Sequence, residues 1–597
     1  MKCFASCDTM RKTNKSGEAV MNIAAVSHRT TTEFCYAVDG DTVVVNIKTG
    51  KDVQRAFIIS EDPFIHELRR KPCWFGVKSE MTVLAELKYH IIWTVRLKPK
   101  YKRLRYYFEL ESSGETFVVC ENKICPIEEN EQMSMKYFKF AWLNESDIIT
   151  PPNWVKHTVW YQIMPDRFCR AKDSPADKKF KKWGDFSDPK WNDVYGGNIR
   201  GITERLPYLK ELGISGIYLT PIFKSNSNHK YNTFDYWQID PDFGTEEDLI
   251  ELVDTAREMG IRIMLDAVFN HCGHEFFAWQ DVCEKGRGSR YYDWFFINSE
   301  NFADKRFSTE DGRFFSFSFW AGMPKLNTNN PEVVKYFSDL CVHWVKDWRI
   351  DGIRFDVGDE VSHSFIRKLN DEVKKVNPDV YFLGEIWTDS LSWLGGNEYD
   401  SVMNFPLPGC IEDFFKNPKL SFDDFIYSLN YCRTLYPEQV TLALFNFLDN
   451  HDTPRVAEVS KNEDELLQKI AVIMTLPGSA CVYYGTEIAM KGAREPYTRR
   501  TMPWDEIENG KYDDIKSKVT ALIHLRNERD ELTSNDIEYI RHKGYPRLVN
   551  YRKSGKAEIF INAEDTPCKI EAQGKVLFEN GYENGELKQN GILITEI

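Results

Sequence analysis

Four acidic residues stand at the ends of short apolar segments that have the character of buried β-strands. In chain order they are Asp266, Asp356, Glu385 and Asp452. A single acid in such a position usually caps the following helix, but acids at four strand ends favour one shared site. Carboxylates brought together repel one another, which raises the pKa of at least one of them and supplies a proton donor near neutral pH. Paired carboxyls can cleave a glycoside, since one protonates the leaving oxygen and the other attacks the anomeric carbon.

Basic and aromatic residues flank these acids. Arg354 lies two residues before Asp356, on the same strand face, where its guanidinium would keep that carboxyl ionised. His271 and His451 would donate hydrogen bonds to substrate hydroxyls. Aromatic rings stack well on sugar rings. The candidate platforms are Tyr231, Trp387 and Phe269.

The strands that carry the acids belong to a longer alternation of apolar strands and amphipathic helices, such as the helical pattern of residues 247–259. Eight such strands predict an α/β fold, the (β/α)₈ or TIM barrel, in which polar residues at the carboxyl ends of the strands face one mouth. The predicted strands are Thr158–Ile163, Gly216–Leu219, Ile261–Val268, Gly352–Asp356, Val380–Glu385, Ser401–Asn404, Thr441–Phe447 and Ala480–Tyr484.

The pattern on either side of the barrel is different. Residues 21–140 alternate in the manner of β-strands separated by turns, which predicts an N-terminal β-sandwich that ends before Pro151-Pro152. The barrel spans 151–530, with an inserted subdomain at 269–330, and a C-terminal β-sandwich follows at 531–597. Residues 1–20 are expected to be a disordered extension.

Composition excludes several classes of function. The 597 residues carry 77 Lys and Arg against 91 Asp and Glu, a net charge of −14 that disfavours nucleic acid as a partner. No apolar run approaches the ~20 residues that a membrane span needs, and no apolar segment typical of a signal peptide follows the N-terminus. The 14 Cys are scattered without metal-site spacing, which favours a reducing compartment, and we expect a cytoplasmic protein.

Several motifs resemble one enzyme family. The segments DAVFNH (266–271), GIRFDV (352–357), GEIW (384–387) and DNHD (449–452) are similar to the four signature regions of the α-amylase family, glycoside hydrolase family 13. The segment MPKLN (323–327) resembles an additional motif of its neopullulanase, cyclomaltodextrinase and maltogenic amylase group, and the N-terminal sandwich resembles a family 34 carbohydrate-binding module. Three further matching segments are YQIMPDRF (161–168), YGG (195–197) and HKYNTFDY (229–236).

The resemblance implies a role for each candidate residue. Asp356 would be the nucleophile, Glu385 the general acid and base, and Asp452 a third acid that stabilises the transition state. The implied substrate-binding residues are Tyr231, His271, Arg354, Trp387 and His451. The implied function is a retaining hydrolase of α-1,4 glucosidic bonds, and of some α-1,6 bonds, in cyclodextrins, maltooligosaccharides and pullulan. The alternatives are a transglycosylase or other α-glucosidase of the family, or a catalytically silent glucan-binding protein.

The resemblance also bears on cofactors and assembly. Relatives bind calcium in the loop that corresponds to residues 169–177, where this chain retains only Asp173 and Asp177 as acids. Two carboxylates are few for an ion that takes 6–8 oxygen ligands, so we expect no cofactor, with calcium left as an alternative. α-Glucan oligosaccharides are the expected substrates. A homodimer formed through the N-terminal domain is the expected assembly.

Overall fold

The computed structural model describes residues 21–129, 135–174, 179–304 and 306–597. The expected disorder of residues 1–20 lies outside the described residues. The chain divides into two compact units. Unit 1 comprises the chain up to Ile149 together with Ile426–Glu438, and unit 2 comprises Thr150–Phe425 and Gln439–Ile597.

Unit 1 is built from two antiparallel sheets, as the β alternation predicts. One sheet has the strand order β1-β2-β6-β5, and the other has the order β4-β3-β7-β8-β9 with β10 paired to β7. Buried side chains such as Val45, Ile58, Trp93 and Phe108 form one apolar core. The elements are β1 Cys35–Ala37, β2 Val43–Gly50, β3 Val53–Glu61, α1 Ile65–Leu68, β4 Val77–Glu80, β5 Thr82–Glu86, β6 His90–Leu97, β7 Leu104–Ser112, β8 Glu115–Cys120, β9 Lys123–Pro126 and β10 Phe138–Phe140.

Unit 2 contains the predicted barrel. Its eight strands are all parallel, in the order β18-β17-β16-β15-β12-β11-β20-β19, and a parallel bridge between Met403 and Phe445 joins the two ends. A short hairpin, β13 with β14, lies between the second and third barrel strands. The strands are β11 Val159–Ile163, β12 Gly216–Leu219, β13 Phe223–Lys224, β14 Asp235–Ile239, β15 Arg262–Ala267, β16 Gly352–Phe355, β17 Tyr381–Gly384, β18 Ser401–Val402, β19 Phe445–Asn446 and β20 Ser479–Tyr483.

Helices follow the barrel strands, and polar caps set where several of them begin. The predicted helix at 247–259 is Glu246–Glu258, which starts at a capping box formed by Thr245 and Asp248. The helices are α2 Pro165–Phe168, α3 Ile199–Glu204, α4 Leu206–Leu212, α5 Glu246–Glu258, α6 Phe277–Lys285, α7 Pro331–Lys346, α8 His363–Val376, α9 Pro406–Lys416, α10 Phe422–Arg433, α11 Glu438–Thr441, α12 Val456–Val459, α13 Glu463–Thr475, α14 Trp504–Glu508, α15 Asp513–Glu528 and α16 Asp530–Thr533.

The largest departure from the predicted strands lies in the seventh. The seventh barrel strand covers only Phe445–Asn446, and α11 occupies the residues up to Thr441. Pro437 directly precedes this helix, where its fixed φ and missing N–H favour a helical start. The apolar run that follows therefore begins with a helical turn.

The barrel interior explains why polar residues collect at one end. Trp160, Met264 and Leu383 belong to one buried apolar cluster with residues of the other barrel strands. Residues two apart in a strand share a face, so Gln162 and Asp266 follow this apolar layer toward the carboxyl ends of their strands. The strands thus present polar side chains to the mouth above a packed core.

The inserted segment and the C-terminal segment complete unit 2, and the latter forms one sheet where a sandwich was expected. The inserted segment 269–330 contains α6, short bridges such as Ile297 with Phe314, and an aromatic cluster around Trp279. The C-terminal strands form one antiparallel sheet with the order β21-β22-β23-β26-β24, and β25 pairs with β26. They are β21 Ile537–Tyr539, β22 Leu548–Lys553, β23 Ala557–Asn562, β24 Cys568–Lys569, β25 Val576–Glu583 and β26 Glu586–Glu596. Within the described residues, every helix is too short or too polar to cross a membrane.

Candidate active site

A buried arginine gathers three of the predicted acids. Arg354, on β16, has no solvent exposure. Its Nη1 donates to both oxygens of Asp266 at 2.9 and 3.0 Å and to Oδ1 of Asp356 at 2.8 Å. Its Nη2 lies 2.9 Å from Oε1 of Glu385. One cation therefore faces three carboxyl groups that come from three neighbouring strands.

This excess of acid over base shifts the protonation of the group. Burial raises the pKa of Asp356 well above its ordinary value, and the charges of Glu385 and Asp266 raise it further, while Arg354 opposes the shift. Burial also raises the pKa of Asp266, against Arg354 and two tyrosine hydroxyls. The protonation of Asp356 therefore depends on the balance between burial, the neighbouring carboxyls and Arg354.

Glu385 is held at both of its oxygens. Its Oε2 accepts from the backbone N–H of Val357 at 2.9 Å, and its Oε1 accepts from Nε1 of Trp387 at 3.2 Å. Val357 has φ of 47°, a left-handed conformation that a β-branched residue rarely adopts. Strain of this kind persists where the surroundings enforce it, and here it accompanies an N–H directed at the Glu385 carboxyl.

A hydrogen-bonded chain of neutral groups connects the acids. The ring of Tyr231 is parallel to that of His451 at a centroid distance of 5.3 Å. Gln162 donates to Nδ1 of His451 at 2.8 Å, which leaves the ring proton on Nε2, 2.7 Å from the Tyr231 hydroxyl. That hydroxyl donates to Asp266 at 2.9 Å. Burial, with Arg499 as the next cause, lowers the pKa of His451 well below its ordinary value, so the ring stays neutral.

Asp452 has partners other than Arg354. Its Oδ2 lies 3.1 Å from Nε2 of His451, and its Oδ1 accepts from Nη2 of Arg499 at 3.1 Å. The Nε of Arg499 also donates to the backbone carbonyl of His451 at 2.9 Å. Asp452 is therefore fixed by two basic groups while its carboxyl stays partly exposed.

Of the other predicted residues, His271 and Trp387 lie around the same opening, whereas the predicted platform Phe269 is buried against Phe337 and does not line it. His271 stacks on Phe317 at 4.7 Å, and burial lowers the pKa of His271 to about 3. Trp387 is 53% exposed and stacks on Phe405 at 3.9 Å, so it forms an aromatic surface at the rim.

These residues enclose a cavity of about 430 Å³, which we call the active-site cavity. Seven of the eight predicted site residues line it, and Arg354 does not, because it is buried among the acids. The lining residues are Trp191, His229, Tyr231, His271, Phe317, Met323, Asp356, Val357, Asp359, Glu385, Trp387, His451, Asp452, Glu495 and Arg499.

Sequence reasoning missed several contributors. Gln162 sets the tautomer of His451, and Arg499 binds Asp452. Gln162 lies in the segment YQIMPDRF, one of the matching segments. Arg499 lies in REPYTRR (494–500), where nothing in the spacing distinguishes it from Arg494 or Arg500. The contribution of Val357 comes from its backbone N–H, which residue type does not reveal.

Of the two acids retained in the loop that corresponds to the calcium site of relatives, the one that the structure describes binds an arginine. Asp173 accepts from Arg200 at 2.5 Å, and the amide oxygen of Asn198 caps α3 by accepting from the Gly201 N–H at 2.8 Å. Asp177 lies outside the described residues. Within the described ranges, no three His, Cys, Asp or Glu side chains are grouped so that they could hold a metal ion.

Sequence comparison matches both units to known families. Residues 162–536 match the family described as "Alpha amylase, catalytic domain", and residues 21–144 match the family described as "Alpha amylase, N-terminal ig-like domain".

Individual relatives extend this likeness to nearly the whole chain. The cyclomaltodextrinase of Geobacillus thermopakistaniensis is 39% identical over 93% of this chain and 94% of that protein. The intracellular maltogenic amylase of Bacillus subtilis is 38% identical over 87% of each chain. A solved structure of a cyclomaltodextrinase is 32% identical, with a TM-score of 0.85 over 97% of this chain and 98% of that chain. These matches confirm the resemblance, and the chain belongs to the alpha-amylase family of glycoside hydrolases.

Proposed function

We propose that this chain is a retaining α-glucan hydrolase that cleaves α-1,4 bonds in cyclodextrins, maltooligosaccharides and pullulan, with some action on α-1,6 bonds. The observation that carries the proposal is the placement of two carboxyl groups, Asp356 and Glu385, on one buried guanidinium at the wall of an aromatic-lined cavity. Relatives named cyclomaltodextrinase and maltogenic amylase support the choice of substrate.

Asp356 acts as the nucleophile. Arg354 binds its Oδ1, which leaves Oδ2 to attack the anomeric carbon of the bound sugar. The C–O bond that forms makes a β-linked glycosyl ester as the glycosidic bond breaks. Ester formation removes the negative charge of Asp356 from the cavity wall.

Glu385 moves the proton. It donates to the departing glycosidic oxygen in the first step and then takes a proton from the water that hydrolyses the ester. The Val357 N–H and the Trp387 indole hold the two oxygens in place for both steps. The same carboxyl thus protonates the departing sugar in the first step and deprotonates the water in the second.

The other groups bind the sugar at the cleavage point. Asp452, held by Arg499 and His451, interacts with substrate hydroxyls and stabilises the positive charge that develops at the ring. The neutral ring of His271 donates its N–H to the backbone carbonyl of Tyr231 at 3.2 Å and so forms part of the cavity wall. Tyr231 and Trp387 supply aromatic surfaces for sugar rings. Arg354 contributes by orienting Asp356 and Glu385.

A single comparison distinguishes this function from its alternatives. The protein is incubated with β-cyclodextrin, starch and pullulan, and the release of reducing ends is measured for each. A hydrolase that prefers cyclodextrin releases them fastest from that substrate. Longer oligosaccharides without a net gain in reducing ends would indicate a transglycosylase, and binding without any product would indicate a silent glucan-binding protein.

The activity is proposed to be independent of calcium. Support comes from Asp173 and Asn198, whose oxygens are engaged with Arg200 and the start of α3. Treatment with a chelator should leave the melting temperature unchanged. A large decrease that added calcium reverses would contradict this proposal.

A cytoplasmic location and a homodimer complete the proposal. The Cys residues of the described ranges are all free thiols, which suits a reducing compartment.

The proposed homodimer rests on the surface of unit 1. Unit 1 exposes large apolar side chains, among them Phe64 at 46%, Leu68 at 62% and Val77 at 59%, and Val77 begins the edge strand β4. Exposed apolar groups beside a strand edge are suited to association with a second copy.

A further inference from the structure

Unit 2 contains a further large cavity, of about 750 Å³, which we call the second cavity. It shares a wall with the active-site cavity through adjacent residues, since Arg499 lines the active-site cavity and Arg500 lines the second. The full lining is Cys169, Arg170, Trp183, Gly184, Phe186, Arg205, Ile488, Ala489, Met490, Lys491, Arg500, Thr501, Pro503, Trp504, Asp505, Glu506, Lys511 and Tyr512.

The second cavity is positively charged in a protein whose net charge is −14. Five basic side chains line it against two acidic ones. Arg205 and Lys511 are neutralised by Glu508 and Glu506 at 2.7 and 2.8 Å. Among the residues that the structure describes, the other three have no carboxylate within ion-pairing distance. These three are Arg170, Lys491 and Arg500.

Two of the three unpaired cations are held by neighbouring groups. Arg170 donates to the backbone carbonyl of Tyr195. The guanidinium of Arg500 lies over the ring of Phe186 at 5.5 Å, and that ring stacks in turn on Tyr195 at 4.9 Å. Positively charged groups held in this way form a favourable site for a multiply charged anion, and two arginines suit the geometry of phosphate oxygens.

The rest of the lining suits a sugar. Trp183 lies on the wall, with its Nε1 donating to the backbone carbonyl of Met502 at 2.8 Å. The volume of the cavity exceeds what a phosphate ion alone would fill, and an indole ring is a common surface for a sugar ring. Thr501, whose hydroxyl accepts from the Gly184 N–H at 3.1 Å, adds a polar group to the same wall.

We propose that the second cavity binds a sugar phosphate, with the phosphate on Arg170, Lys491 and Arg500 and the sugar against Trp183. The choice of a phosphate rests on the unpaired cations. The choice of a sugar rests in part on the proposed function, because the glucose and maltose units that a glucan hydrolase releases are consumed by reactions that form their phosphate esters.

Titration calorimetry of the full chain tests the site. The probes are glucose 1-phosphate, glucose 6-phosphate, inorganic phosphate and glucose. We expect one equivalent of at least one ester to bind, inorganic phosphate to bind more weakly and glucose not to bind. Substitutions Lys491→Gln and Arg500→Gln should each weaken binding of the ester by about tenfold or more. Arg494→Gln, an exposed arginine in the same segment, is the matched control and should bind as the unmodified protein does.

Two results would overturn the proposal. One is that neither ester binds, or that an ester binds equally well to the parent protein and to both variants. In the second case the melting temperatures of the variants must match that of the parent. The other is inorganic phosphate binding as tightly as the esters, which would identify an adventitious ion only. Saturating β-cyclodextrin in the Glu385→Gln variant must not displace the ester, since displacement would place it in the active-site cavity. Because the measurement reads binding and not turnover, its outcome is independent of whether the chain hydrolyses glucans.

Discussion

At the residue scale, the roles of the two paired carboxyls differ by their partners. Asp356 shares its Oδ1 with a buried guanidinium, whereas Glu385 is bound by a backbone N–H and an indole as well as by that guanidinium. Arg354 thereby opposes the burial that raises the pKa of Asp356. The two carboxyls thus differ in their partners, and a retaining glycosidase requires different roles of its two acids.

The substitution Glu385→Gln tests the proton-donor role. It should reduce turnover of maltooligosaccharides by about 10²–10⁴-fold, because the leaving sugar is no longer protonated. An α-maltosyl fluoride should be affected much less, since fluoride leaves without protonation. Both rates are measured on the same preparation. An equal loss on the two substrates would contradict the assignment.

The same variant tests the electrostatic coupling of the pair. Burial and the charge of Glu385 both raise the pKa of Asp356, and the nucleophile must be ionised to react. Removing the Glu385 charge therefore lowers the pKa of Asp356 and moves the acidic limb of the rate profile to lower pH. The profile is recorded with α-maltosyl fluoride for both proteins. An acidic limb that stays in place would show that the two carboxyls are not coupled.

The sequence predicted the acids, but it did not predict three groups that support them, which are Gln162, Arg499 and the backbone N–H of Val357. A carboxylate at a strand end is visible as a residue type at a recognisable position. The contribution of Gln162 depends on a contact with a residue 289 positions away, and that of Arg499 depends on contacts with residues 48 and 47 positions away. That of Val357 depends on a backbone conformation that its side chain disfavours. These groups become evident only when the strands are assembled.

At the element scale, the barrel strands were predictable because their apolar runs are short and bounded by polar strand ends. The predicted start of the fourth strand at Gly352 and the whole of the second strand are confirmed. The seventh strand was predicted too long, because an apolar run that follows Pro437 folds first as α11. Periodicity alone does not separate a helical turn from a buried strand over so few residues.

A buried arginine caps the C-terminal end of one barrel helix. Arg526, on α15, donates to the backbone carbonyls of Met474 and Leu476 at 2.8 and 3.0 Å, at the end of α13. Burial lowers the pKa of Arg526 to about 10. Its guanidinium thus satisfies carbonyls that the helix itself leaves without partners.

Arg526→Met should destabilise unit 2 by about 2–4 kcal/mol, since it leaves buried carbonyls unsatisfied while it keeps most of the side-chain volume. The measurement is the urea midpoint of unfolding. The matched control is Lys518→Met on the same helix, which removes only an exposed pair with Asp514 and should cost less than about 1 kcal/mol. Equal effects of the two substitutions would show that Arg526 does not stabilise the end of α13.

At the scale of the whole molecule, the proposed dimer depends on the exposed apolar groups of unit 1. Leu68→Asp places a charge among them and should convert a dimer of twice 69.8 kDa into a monomer, as measured by light scattering. Tyr89→Asp alters another exposed residue of the same unit, 72% exposed, and should leave the dimer intact. A monomeric parent protein, or a dimer that persists in both variants, would contradict the proposed interface.

The central claim is that Asp356 forms the covalent bond to the sugar. The most direct measurement is mass spectrometry of the protein after reaction with a 5-fluoro-α-glucosyl fluoride, which forms the ester quickly and releases it slowly. Peptide mapping should locate one glycosyl group on the peptide that contains Asp356, and the Asp356→Asn variant should remain unlabelled. A glycosyl group on any other residue, or turnover of the reagent by the Asp356→Asn variant at the parent rate, would contradict the account.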